Sequence, residues 1–63
     1  MKAIDYVLPF GKHKGKTLFQ ISQDDPKYLD WAAGEMEGRA GDAIREAVKH
    51  PDIERKIDAA LND

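Results

Sequence analysis

Leu8-Pro9-Phe10-Gly11-Lys12-His13-Lys14-Gly15-Lys16-Thr17-Leu18 sets three lysines and a histidine between two glycines and closes both ends with apolar residues. The residues leading into it, Ile4, Tyr6, Val7, Leu8 and Phe10, are β-formers and read as a strand over 4–10. Pro9 marks a sheet edge or a strand end, because proline has no N–H to give to a ladder. Gly11 and Gly15 bracket a tight reversal that needs positive φ, and Lys16-Thr17-Leu18 returns as a second short strand. The expected hairpin covers about residues 4–18, with Leu8, Phe10 and Leu18 turned inward and Lys12, His13, Lys14 and Lys16 at its tip. Two strands alone are marginal, so the hairpin must lean on helices.

Those helices are legible downstream. Leu18-Phe19-Gln20-Ile21 reads as a turn that drops Leu18 and Ile21 into the core. Asp24-Asp25-Pro26 is a helix start: an aspartate caps free N–H groups, proline suits the first helical position, and carboxylates favour the positive end of the dipole. The helix is expected over 26–37, with Tyr28, Leu29, Ala32, Ala33 and Met36 as its apolar stripe, Trp31 at the margin and Gly38 as terminator. A second is expected over 41–49, with Ala40, Ala43, Ile44, Ala47 and Val48 on one side. Pro51 breaks it and opens a third over 51–61, which presents Ile53, Ile57 and Leu61 one turn apart. The expected fold class is α+β, a short N-terminal β-hairpin packed on three α-helices within a single small domain, 1–63.

Sixty-three residues build only a small core, and the absence of cysteine removes disulfides and thiolate metal sites as sources of stability. A second copy completing the Ile53-Ile57-Leu61 stripe is one remedy, so a homodimer is expected. No apolar run reaches membrane-spanning length and the N-terminus lacks a signal-peptide layout, which leads to a cytoplasmic, soluble protein with no membrane partner. The overall charge of −2 hides an asymmetry. Residues 1–20 carry four lysines against Asp5, a net +3, while residues 21–63 carry six cations against eleven carboxylates, a net −5.

A lysine-rich tip flanked by glycines suits phosphate binding. Glycine lets backbone N–H groups approach an anion, and lysine supplies charge without demanding one geometry. The candidate nucleic-acid-binding residues are therefore Gly11, Lys12, His13, Lys14, Gly15 and Lys16, with His13 adding pH-dependent charge and Tyr28 or Trp31 stacking on exposed bases. The reading requires the three ammonium groups to project together, free of the chain's own carboxylates. No arginine lies in this stretch to read base edges, so little sequence specificity is expected. Gly15-Lys16-Thr17 ends like a nucleotide-binding P-loop, yet the glycine needed five positions earlier is Phe10. His13 and His50 have no ligand spacing, and Asp24 and Asp25 are explained by the helix start. No catalytic residue, metal or cofactor is assigned, and a non-enzyme is expected.

The hairpin sequence followed by Asp25-Pro26-Lys27-Tyr28-Leu29-Asp30-Trp31 resembles the C-terminal domain of exodeoxyribonuclease X-like proteins. It is similar, too, to short proteins assigned as quorum-sensing-regulated virulence factors. In both, a Phe-Gly-Lys, variable residue, Lys-Gly hairpin precedes a helix with Tyr-Leu-any-Trp. The positions that match are Phe10, Gly11, Lys12, Lys14, Gly15, Lys16, Tyr28, Leu29 and Trp31; Ala32-Ala33-Gly34 departs from bulkier apolar residues. The resemblance covers about residues 7–33 and implies a non-catalytic accessory that binds nucleic acid, DNA by preference, since the exonuclease domain itself is absent. A free-standing copy of this kind fits a phage or bacterial setting. The alternative is an adaptor or inhibitor of a DNA-processing protein, working through the acidic face of Glu35, Glu37, Asp42, Glu46, Asp52, Glu54 and Asp58. That face also reads as an ordinary solvated surface with pairs such as Asp52 with Lys56.

Overall fold

Thr17 decides how the chain enters its first helix. Its Oγ1 accepts the Gln20 backbone N–H at 3.1 Å, while Gln20 Oε1 accepts the Thr17 N–H at 2.9 Å, a reciprocal capping box. Residues that would have continued a second strand are therefore helical from Leu18 onward, and α1 runs Leu18–Asp24. The computed structural model describes residues 2–62. Three further helices follow, α2 over Pro26–Glu35, α3 over Gly38–Ala47 and α4 over Pro51–Leu61, preceded by a 3-10 turn at Ala3–Asp5.

The fold is all-α, which corrects the expected α+β class and its β-hairpin. Among the described residues there is no strand, only one antiparallel bridge between Val7 and Thr17. The physical reason lies at three points. Ile4 is taken into the 3-10 turn, Pro9 has no N–H to extend a ladder, and the capping box claims the other arm for α1. What remains is a closed loop. Leu18 N–H donates to the Tyr6 carbonyl at 3.0 Å, Leu8 N–H to Lys16 at 2.9 Å, and Gly15 N–H to Leu8 at 2.9 Å.

The helix expected over 26–37 is α2, capped by Asp25 Oδ1, which accepts the Tyr28 N–H at 3.4 Å. Gly38 does not end that helix but begins α3, after a two-residue link at Met36 and Glu37. Arg45 makes the tight corner possible. Its Nη1 donates to the Met36 carbonyl at 2.9 Å and the Ala33 carbonyl at 3.3 Å, satisfying groups left free at the end of α2.

The core joins Leu8 of the loop, Leu18 and Ile21 of α1, Leu29 and Ala32 of α2, Ala40, Ile44 and Ala47 of α3, and Ile53 and Ile57 of α4. The stripe read as a dimerisation face is thus used within the chain: Ile53 and Ile57 are buried, and only Leu61 is exposed. Phe10, expected inside, lies out at 48 % exposure. On α4 the Asp52 carboxylate pairs with Arg55 rather than Lys56. No helix among the described residues is long and apolar enough to cross a membrane.

His50 caps α4. Its Nδ1 accepts the Asp52 N–H at 3.2 Å, so this nitrogen must be unprotonated. His50→Ala is expected to lower stability by about 0.5–1 kcal/mol in urea unfolding, and His50→Asn to leave it unchanged, because asparagine is a strong cap. Equal losses for both variants rule the cap out.

Candidate nucleic-acid interface

The loop between the 3-10 turn and α1 folds back over the start of α2, and Asp25 is the point on which they meet. Asp25 ends α1, caps α2 and turns Oδ2 toward the loop. That oxygen lies 3.3 Å from Lys12 Nζ and 3.3 Å from His13 Nε2. A carboxylate oxygen can only accept, so Nε2 is the protonated nitrogen of His13 in this contact. Partial burial pushes the Asp25 carboxyl up. The His13 and Lys12 hydrogen bonds, the Lys12 charge and the Tyr28 N–H outweigh it and hold the group below the usual carboxylate range.

His13 is 9 % exposed, not a free cation at a tip. Its ring sits edge-on to Tyr28, with centroids 4.6 Å apart and planes at 73°. Tyr28 in turn lies 5.7 Å from Trp31, at 48°. Tyr28 and Trp31 are three residues apart on α2 and so share a face. Lys12 Nζ stands 5.6 Å from the Tyr28 ring centre. Gly11, at φ +85°, brings the loop backbone against the same ring: a Cβ built there would lie 3.4 Å from Tyr28 Oη. Burial falls along this row, from His13 through half-buried Tyr28 to Trp31 at 56 % exposure.

The three lysines are not the free cluster that the lysine-tip reading requires, and phosphate capture by three unpaired ammonium groups fails as a basis for the site. Lys12 pairs with Asp25, and Lys16 pairs with Asp24 at 2.8 Å. Lys14 has no ion-pair partner among the described residues. Three lysines against two aspartates leave one net positive charge among these five side chains. Of the candidate residues, Gly11, Lys12, His13, Tyr28 and Trp31 are brought together. Lys14 and Gly15 lie exposed on the same loop, while Lys16 is drawn toward Asp24 and lines a shallow groove with Phe19, Gln20 and Gln23.

Sequence reasoning passed over Asp25 as a hub, giving it only the capping role. The signal available was Asp25 beside a proline and three residues before an aromatic, which predicts a cap and nothing about His13. Phe19, exposed, was given no surface role, and Phe10, weighed for stacking but read as core, is exposed as well. Among the described residues no three His, Asp or Glu side chains gather as a metal ion would need.

Residues 8–36, a little under half of the chain, match the family model described as Exodeoxyribonuclease X-like C-terminal. Over that segment the resemblance drawn from the two linked motifs is borne out; the likeness to the quorum-sensing-regulated proteins gains no support. The matched stretch holds the loop, α1, α2 and every residue of the Asp25 cluster. No curated protein and no solved structure matches the chain.

Proposed function

We propose that this protein is a non-catalytic nucleic-acid-binding accessory, on the premise that its loop, α1 and α2 are exodeoxyribonuclease X-like C-terminal in sequence. That description links the segment to a nuclease acting on DNA, and DNA is the partner we favour. The observation that supports the reading is the placement of exposed Lys12 beside Tyr28, whose ring adjoins the exposed Trp31, a cation next to an aromatic pair on an open surface.

The ion pairs set the strength of binding. Moving Lys12 from Asp25 to a phosphate exchanges one exposed pair for another, at a cost of about 0–1 kcal/mol. Lys12 and Lys14 can then neutralise about two phosphates, so the affinity is weak and falls with salt at a log–log slope of about −1 to −2. The acidic helices offer less to a protein partner than their composition suggests, because Asp42, Glu46 and Asp52 each pair with a cation three residues on.

Fluorescence anisotropy with labelled DNA at low and moderate salt tests the reading. Lys12→Ala/Lys14→Ala is expected to weaken binding several-fold at low salt and to bring the salt slope near zero, with the helical signal unchanged. Undiminished binding by this variant, or no binding by the parent protein at low salt, overturns the proposal.

A further inference from the structure

Trp31 is the least economical residue on this surface. Water contacts more than half of the largest side chain in the protein, and burying that ring inside would have enlarged a small core. It is nevertheless held in place. Tyr28 lies against it at 5.7 Å, and His13 braces Tyr28 edge-on at 4.6 Å. His13 is itself fixed by Asp25 and by burial. The outer ring therefore sits at the end of a rigid row, so little freedom is lost when something flat settles on it.

We infer that Trp31 is a stacking platform for an unpaired nucleobase, and that the module selects single-stranded over double-stranded nucleic acid. The inference rests on the nucleic-acid reading above and names the form of ligand it takes. The charge balance drives it. With Lys12 and Lys16 already paired to aspartates, phosphate contacts alone supply little affinity, and what they supply favours the more densely charged duplex, so a preference for single strands has to come from the bases. An exposed aromatic face adds roughly 5- to 150-fold per stacked base, and only an unstacked base can reach it. Every base has such a face, so the preference is for strandedness and not for sequence. Lys12, beside Tyr28, is placed to hold the phosphate flanking the stacked base.

Trp31 is the only tryptophan, so its emission reports this ring directly. The full chain is titrated at low salt with a short oligothymidylate and with a duplex of the same length, and binding of labelled forms is followed by anisotropy. The expected result is saturable quenching by the oligothymidylate, tighter binding of the single strand, and no comparable quenching by duplex. Trp31→Ala should weaken single-strand binding by roughly 5- to 150-fold, to the level of the duplex, and Trp31→Phe should keep part of the preference. Because the ring is mostly outside the core, circular dichroism of both variants should match the parent protein. If duplex binds as well as single strand, or Trp31→Ala leaves single-strand binding intact, stacking is overturned while the nucleic-acid reading stands. If neither ligand binds and emission is unchanged, both fall, and the exposed ring belongs to a protein contact.

Discussion

Gly41→Ala destabilises the protein by about 1–3 kcal/mol, whereas Gly34→Ala stabilises it by about 0.5–1 kcal/mol. Both glycines lie in helices, and alanine is the better helix former by up to about 1 kcal/mol at each. Their surroundings decide the sign. A Cβ at Gly34 would meet no atom within 4 Å, so the propensity gain is realised. A Cβ at Gly41 would lie 2.3 Å from the Met36 carbonyl oxygen and 2.7 Å from its carbon. These are backbone atoms, and the same carbonyl accepts the Arg45 bond that closes the α2–α3 corner. Relief requires that α2 and α3 separate and the corner bond break, so overpacking outweighs propensity. Urea unfolding of the two variants measures the contrast; stabilisation by Gly41→Ala shows that the helices do not approach so closely.

Loss of Asp25 is the second large effect, with an expected cost of about 2 kcal/mol for Asp25→Ala at neutral pH. The cap contributes the low end of its usual range, since its bond to Tyr28 N–H is long at 3.4 Å. More is lost because buried His13 is left without its acceptor, and an orphaned buried donor costs about 1–3 kcal/mol. Asp25→Asn separates the two contributions: Oδ1 still caps, while the amide nitrogen in place of Oδ2 can neither accept from His13 nor carry charge for Lys12.

Acid should erase the difference between the parent protein and Asp25→Asn. The native carboxyl titrates below its ordinary value of 3.8, so its stabilisation is complete above that value and is lost as pH falls through the native one. Urea unfolding at neutral pH and in the acid window measures this, and a gap that stays constant across both refutes the Asp25 linkage. The same variant releases Lys12, so on the proposed function it binds DNA several-fold more tightly at low salt while folding less stably.

Legibility was uneven along the chain, for reasons visible in particular residues. Asp25-Pro26 and His50-Pro51 start helices by local chemistry, and α2 and α4 begin where those pairs stand. Apolar spacing identified Leu29, Ala40, Ile44, Ala47, Ile53 and Ile57 as interior, because a helix repeats its inward face every turn whatever it packs against. The hairpin failed because β-forming side chains describe a preference, and the preference lost to a capping box that was itself written in Thr17 and Gln20. Phe10 was misplaced by the same error: alternation along a strand sends it inward, while the actual loop turns it out.

What the residues alone determined is local: where helices start, which faces are apolar, and that cations collect between Lys12 and Lys16. Tertiary structure decided the rest by distance. Twelve positions separate His13 from Asp25, and no local rule predicts that the loop folds back to seat the imidazole and ammonium on one carboxylate oxygen. That closure neutralises most of the basic stretch and leaves Trp31 braced in water, because packing Leu8 into the core draws the loop onto the start of α2.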